Sequence, residues 1–156
     1  MPVIVGAGPA GVRAAEALVA QGLRPVVLDE APRAGGQIYR QPPQGFQRPK
    51  HELYGFEHRK ADAVHRAMAA LLPQVDYRPG SLVWNVDGKT LDVLQDGVST
   101  AVPYTHLILA TGATDRVLPF PGWLTPGVYT LGGSQVALKY QGCLLYTSDA
   151  ADEGLG

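Results

Sequence analysis

The sequence predicts an α/β fold: a parallel sheet flanked by helices, with a small three-stranded antiparallel meander inserted. Three observations predict it. An apolar run, a glycine-rich turn, an amphipathic segment and a second apolar run follow one another within the first ~30 residues, the pattern of a right-handed strand–helix–strand unit. Three alternating runs between residues 82 and 102 are separated by Asp-Gly dipeptides. A further apolar run, Leu107-Ile108-Leu109-Ala110, comes after them.

Taken in order, Val3 to Val5 form a short strand of the buried type, and Gly6-Ala7-Gly8-Pro9-Ala10-Gly11 turns directly into a segment where Val12, Ala15, Leu18 and Val19 keep helical spacing. Gly22 ends that helix. Pro25-Val26-Val27-Leu28 is the second strand, with proline at its start, where a missing donor is tolerated. Residues 31 to 50, rich in Gly, Pro, Gln and Arg, have no period and read as a long functional loop. From Glu52 to Leu72 the apolar residues Leu53, Phe56, Val64, Ala67, Met68 and Leu71 follow the helix period, and Pro73 closes the segment. The runs Leu82 to Val86, Thr90 to Leu94 and Ser99 to Val102 are joined by Asp87-Gly88 and Asp96-Gly97, dipeptides that favour type I′ hairpins. Leu107 to Ala110 is again a continuous buried strand, running into Thr111-Gly112-Ala113. Residues 143 to 156 have neither period nor turn logic and read as a non-native tail, leaving residues 1–142 as the domain.

The chain has 156 residues, the length of about one domain, with 46% hydrophobic and 17% charged residues, a globular and soluble balance. Its 19 glycines and 13 prolines make up about a fifth of it, against roughly 12% in average usage, so much of the chain serves tight turns and close backbone approaches. A formal charge of −1 with scattered Lys and Arg argues against a nucleic-acid partner. No apolar run nears the ~20 residues of a membrane span. The chain opens as a strand at Pro2, leaving no room for a signal peptide, and its one cysteine, Cys143, cannot form an internal disulfide; a cytoplasmic setting is expected.

Gly6-x-Gly8-x-x-Gly11 between a strand and a helix is a dinucleotide fingerprint. The first glycine makes the turn, the second admits a pyrophosphate close to the backbone, and the third lets the helix pack on the strand. The helix N-terminus offers free N–H groups and partial positive charge to the phosphates. Asp29 and Glu30 follow Gly11 by 18 and 19 residues, near the ~20 expected for the acid that holds the adenosine ribose. Glu30 is the expected partner, and a carboxylate there disfavours the 2′-phosphate of NADP.

These motifs, with the doublet Gly35-Gly36, Ile108-Leu109-Ala110-Thr111-Gly112-Ala113 and Pro119-Phe120-Pro121-Gly122, resemble the FAD-binding half of the two-dinucleotide-domain flavoproteins, the pyridine nucleotide-disulfide oxidoreductase-like family. The resemblance covers residues 2 to about 142. Gly35-Gly36-Gln37-Ile38-Tyr39-Arg40 and Arg116 to Trp123 are most similar to flavoprotein subunits of opine and amino-acid dehydrogenases and of hydrogen cyanide synthase. The resemblance implies a Rossmann-like FAD/NAD(P)-binding domain, truncated relative to the family, in an oxidoreductase that moves hydride from a small amine, amino-acid or opine-like substrate to FAD. It also implies other subunits of a hetero-oligomeric dehydrogenase as partners. By position, Gly6, Ala7, Gly8, Pro9, Ala10 and Gly11 are expected at the FAD pyrophosphate, and Asp29 and Glu30 at the ribose. Gly35, Gly36 and Gln37 are expected near the isoalloxazine, Val83 with its backbone on adenine, and Ala110, Thr111 and Gly112 along the pyrophosphate from the far side. Two rivals are an NAD(P)H-dependent flavoprotein reductase of the same family and a non-catalytic nucleotide-binding module.

The family's glutathione-reductase-like members carry a redox cysteine pair shortly after the double glycine, and Gln37-Ile38-Tyr39-Arg40 has none. Catalytic residues are not identifiable. His51, His58 and His65 recur every seven residues and read as a solvated helix face rather than a metal site, since seven residues separate side chains by roughly 10 Å. Trp84, Trp123, Tyr39 and Phe120 are expected in core or sheet packing. Arg33 and Arg40 flank the double glycine, as surface charge or as partners of a phosphate or substrate carboxylate.

Overall fold

The structure, a computed structural model, describes residues 1–46 and 48–143. In chain order it runs β1 (Pro2–Val5), α1 (Pro9–Ala20), β2 (Val26–Asp29), α2 (Lys50–Tyr54), a 3₁₀ turn (Gly55–Glu57), α3 (His58–Leu71), a second 3₁₀ turn (Leu72–Gln74) and β3 (Asp76–Pro79). There follow β4 (Ser81–Asp87), β5 (Thr90–Gln95), β6 (Val98–Pro103), β7 (His106–Leu109) and α4 (Leu131–Lys139). The parallel sheet has the order β3-β2-β1-β7, and β4-β5-β6 form a separate antiparallel sheet.

Strand periodicity explains how three layers form. Ile4 and Val27 project to one face and join Val12 and Ala15 of α1 with Ala61, Val64, Met68 and Leu71 of α3. Their neighbours Val3, Val26 and Leu28 project to the other face and meet Leu91, Val93 and Val102 of the meander. Successive strand residues point to opposite sides, so a strand covered on both faces has to be apolar throughout, as β1 is and as β2 is up to its last residue, Asp29. The expected fold class is thus present: helices on one face of the parallel sheet and the meander on the other.

Several local expectations differ. The segment 52–72 is not one helix: Gly55 takes φ 55° and ψ −135°, a conformation that suits glycine, and separates α2 from α3. Phe56, expected on the buried face, is 95% exposed as a result. The break also places His51 and His58 on different elements, and His65 is not on a solvated face: it packs edge-on against Tyr54 and sits 2.8 Å from Tyr39 O through its Nε2. The hairpin at Asp96-Gly97 has positive φ at both residues, as type I′ requires, but in the other hairpin Asp87 pairs with Thr90 and the loop is Gly88-Lys89, with glycine first as in type II′. β7 is not fully buried; it pairs with β1 alone, and Leu109 is 67% exposed. Trp84, Phe120 and Trp123 are exposed rather than packed in a core, whereas Tyr39 is buried. β3 and α4 were not expected from the sequence. Of the expected tail, only Cys143 lies within the described residues, where it is exposed. Among the described residues no helix is long and apolar enough to cross a membrane.

Candidate functional site

The C-terminal ends of β1, β2 and β7 converge on the glycine turn. Gly6, at φ 104°, donates its N–H to Leu28 O at 2.7 Å, and a Cβ on it would lie 2.3 Å from Ala110 O, so the turn is wedged between β2 and the end of β7. A Cβ on Gly11 would lie 1.8 Å from Gly6 O, which is why α1 can lie flat on the turn it leaves. Gly8 is the N-cap of α1 and supplies no capping side chain; Pro9 follows in the first turn, which holds no acidic residue. The first-turn N–H groups of Ala10 and Gly11 therefore have no carbonyl within the helix, and the positive end of the helix is uncompensated by its own side chains.

The double glycine closes over this turn. Gly35 N donates to Ala7 O at 2.9 Å, and a Cβ on Gly36 would lie 2.9 Å from the Cα of Gly8. Two glycines thus face each other, and a side chain on Gly36 would collide with the turn. Asp29 holds the arrangement from beneath, its carboxylate accepting from Ala7 N and, at 2.7 Å, from Ala31 N. Burial pushes this carboxyl above its ordinary value, and the two backbone donors pull it back.

Beside the turn lies a cleft of about 690 Å³. Of the expected site residues, Gly6, Gly8, Pro9, Ala10, Asp29, Glu30, Gly36, Gln37, Val83, Ala110, Thr111 and Gly112 line it. Ala7, Gly11 and Gly35 are not among its lining residues: Ala7 is fully buried, and the other two make the backbone contacts described above. Asp29 lines the cleft with its carboxylate already engaged by backbone, whereas Glu30 beside it is exposed. Arg40 lines the cleft and Arg33 does not. Sequence reasoning missed Ser81, which is 1% exposed and lines the cleft. Its position after Gly80 at the entry to the meander was the only signal.

Three buried side-chain polar atoms have no hydrogen-bond partner among the described residues: Arg40 Nε, Ser81 Oγ and Tyr77 Oη. Two of them belong to residues of this one cleft. Buried polar groups are ordinarily satisfied, so such a concentration marks a place where a polar ligand completes the bonding. Together with the opposed glycines and the open end of α1, it fits a dinucleotide.

Fold and cleft together define a dinucleotide-binding α/β domain of the Rossmann-like class. A family model described as pyridine nucleotide-disulphide oxidoreductase matches residues 2–143, and the chain belongs to that family. The chain is 42% identical over 139 residues to the HcnB subunit of hydrogen cyanide synthase from Pseudomonas aeruginosa, covering 88% of this chain and 30% of that one. It is 38% identical over 151 residues to one of the subunits of opine oxidase from Agrobacterium tumefaciens, covering 90% and 29%. It therefore spans about 30% of the length of these curated relatives. L-proline dehydrogenase from P. horikoshii superposes with a TM-score of 0.71 at 23% identity, over 88% of this chain and 28% of that one. The NAD-dependent persulfide reductase from A. fulgidus gives 0.59 at 19% identity, over 86% and 26%. Both share the fold. The homologues are oxidoreductases, and the family is FAD-dependent.

Proposed function

We propose that the cleft is the FAD site of an oxidoreductase that takes hydride from the carbon of a C–N bond in a small amine, amino-acid or opine-like substrate. The observation that carries the FAD assignment is the Gly8–Gly36 approach over the open N-terminus of α1, beside the orphaned polar atoms of Arg40 and Ser81. The substrate class rests on the identity to subunits of hydrogen cyanide synthase and of opine oxidase. Gly6 to Gly11 hold the diphosphate, with Ala110, Thr111 and Gly112 along it; Glu30 accepts from the ribose; Val83 meets adenine through its backbone; Gly36 and Gln37 border the flavin. Asp29 acts one step back, fixing the turn through Ala7. Bound FAD supplies the hydride-accepting chemistry, and the chain supplies binding and orientation. Both relatives are named as subunits, and further subunits of a hetero-oligomeric dehydrogenase are the partners we propose. A cytoplasmic setting and a domain boundary near residue 142 belong to the same proposal.

The test has two stages. The purified chain, incubated with FAD and desalted, is expected to keep the visible flavin spectrum; a colourless product overturns the assignment. In the full-length protein, bleaching of the flavin under anaerobic conditions is expected with opines or amino acids. Bleaching by NAD(P)H alone overturns the substrate class and favours a reductase.

A further inference from the structure

Among the described residues Arg40 is the only cationic side chain lining the cleft; the other charged lining residues are Asp29 and Glu30. Asp29 is engaged by two backbone donors and feels the Arg40 charge only at a distance, and among the described residues no carboxylate lies within ion-pair distance of Arg40. The side chain is nonetheless held in place. Its guanidinium carbon lies 5.0 Å from the ring centroid of Tyr140, just beyond α4, and its own carbonyl accepts from Tyr54 Oη at 2.9 Å. The neighbouring Lys139 ties the same end of α4 to the double-glycine loop through Ile38 O at 3.0 Å. Nε is buried and unpartnered. A guanidinium clamped on one face, unpaired and part of the wall of a cleft is prepared for an anion with oxygen acceptors.

We propose that Arg40 is the countercharge of this cleft and holds the diphosphate of the bound dinucleotide from the double-glycine side. The inference rests on the FAD reading above. The α1 N-terminus contributes only partial charges to a doubly anionic group, and among the described residues Arg40 is the only full positive charge lining the cleft. Tyr140 is its positioning residue.

The experiment titrates the full chain with FAD at several salt concentrations, for the wild type, Arg40→Met and Arg40→Gln, with circular dichroism as the check on folding. The methionine keeps an apolar stem on Tyr140 and removes the charge; the glutamine serves if methionine does not fold. FAD affinity is expected to fall about tenfold or more at low salt, with the gap narrowing as salt is added. Unchanged affinity overturns the proposal and places the guanidinium elsewhere, for instance on a substrate carboxylate. A loss independent of salt also overturns it, since packing rather than charge is then at work. If the wild-type chain binds no FAD, the FAD reading itself falls; if the wild type binds and the variants bind equally, only the role of Arg40 does.

Discussion

At Asp29-Glu30 the end of β2 separates two jobs that spacing alone assigns to either residue. Asp29, the last residue of β2, turns under the glycine loop and gives both carboxylate oxygens to backbone donors; Glu30 is left exposed beside the cleft. The glycines divide in the same way. Gly8 has φ −73° and ψ −176°, open to any residue, and a Cβ there would lie 3.5 Å from the Cα of Gly36, an ordinary contact. Gly11 has no such room. Gly8→Ala is therefore expected to leave stability within about 0.5 kcal/mol of wild type while weakening FAD, because the new methyl occupies space the diphosphate needs. Gly11→Ala drives a methyl into Gly6 O and is expected to cost roughly 1–3 kcal/mol through displacement of α1. Urea midpoints together with FAD titration separate the two effects. A Gly8→Ala chain that binds FAD as tightly as wild type removes the diphosphate from this turn.

Elements whose signal is local were legible in the sequence, and those made by distant partners were not. β1, β2 and the meander strands carry their own apolar pattern and turns, and they lie within a residue or two of expectation. β3 reads Asp-Tyr-Arg-Pro, too short and too charged to stand out as a strand; it exists because β2 offers a free edge, and Pro79 at its end fits an edge strand. α4 begins Leu-Gly-Gly, and its two glycines are poor helix formers. Its first turn is held by Thr130 Oγ1 accepting from Gly133 N at 3.0 Å and by Asp115 accepting from Gly132 N at 2.7 Å, a cap 17 residues away that no local pattern shows. α3 hides a similar surprise in His65. A carbonyl only accepts, so Nε2 donates to Tyr39 O, and the ring braces the loop at Gly35, where a Cβ would come within 3.0 Å of it. Burial holds this imidazole below its ordinary value, with Lys50 and Arg33 acting in the same direction and the Tyr39 carbonyl and Asp62 opposing. The unfolded chain then binds the proton more readily than the folded one, so stability falls as pH drops below about 6.5 and continues to fall until the folded histidine itself is protonated. Urea midpoints at pH 7.5 and 5.5 are expected to show this loss, and His65→Asn to shrink it. An unchanged difference in the variant assigns the effect to other groups.

At the scale of the whole molecule, apolar surface is unevenly distributed. The two faces of the parallel sheet are covered by α1 and α3 and by the meander, while the stretch from the end of β7 to the start of α4 leaves large apolar side chains in solvent. Leu118 is 65% exposed, Leu124 77% and Leu131 76%, with Val117 exposed before them and Phe120, Val128 and Tyr129 exposed between them. Exposed apolar stretches on this scale mark association surfaces or aggregation hazards. The chain spans about 30% of the length of its curated relatives. The chain alone is accordingly expected to self-associate in a concentration-dependent way, seen by sedimentation velocity, and to brighten a hydrophobic dye. Leu118→Ser with Leu124→Ser is expected to shift it toward monomer with stability changed by less than about 1 kcal/mol, because side chains this exposed contribute little to folding. The double variant also separates surface from site: its FAD affinity is expected to stay at the wild-type value, since neither leucine lines the cleft. A wild-type chain that is monomeric at all concentrations shows that this stretch is not sticky, and a fall in FAD affinity in the variant shows that it reaches the cofactor.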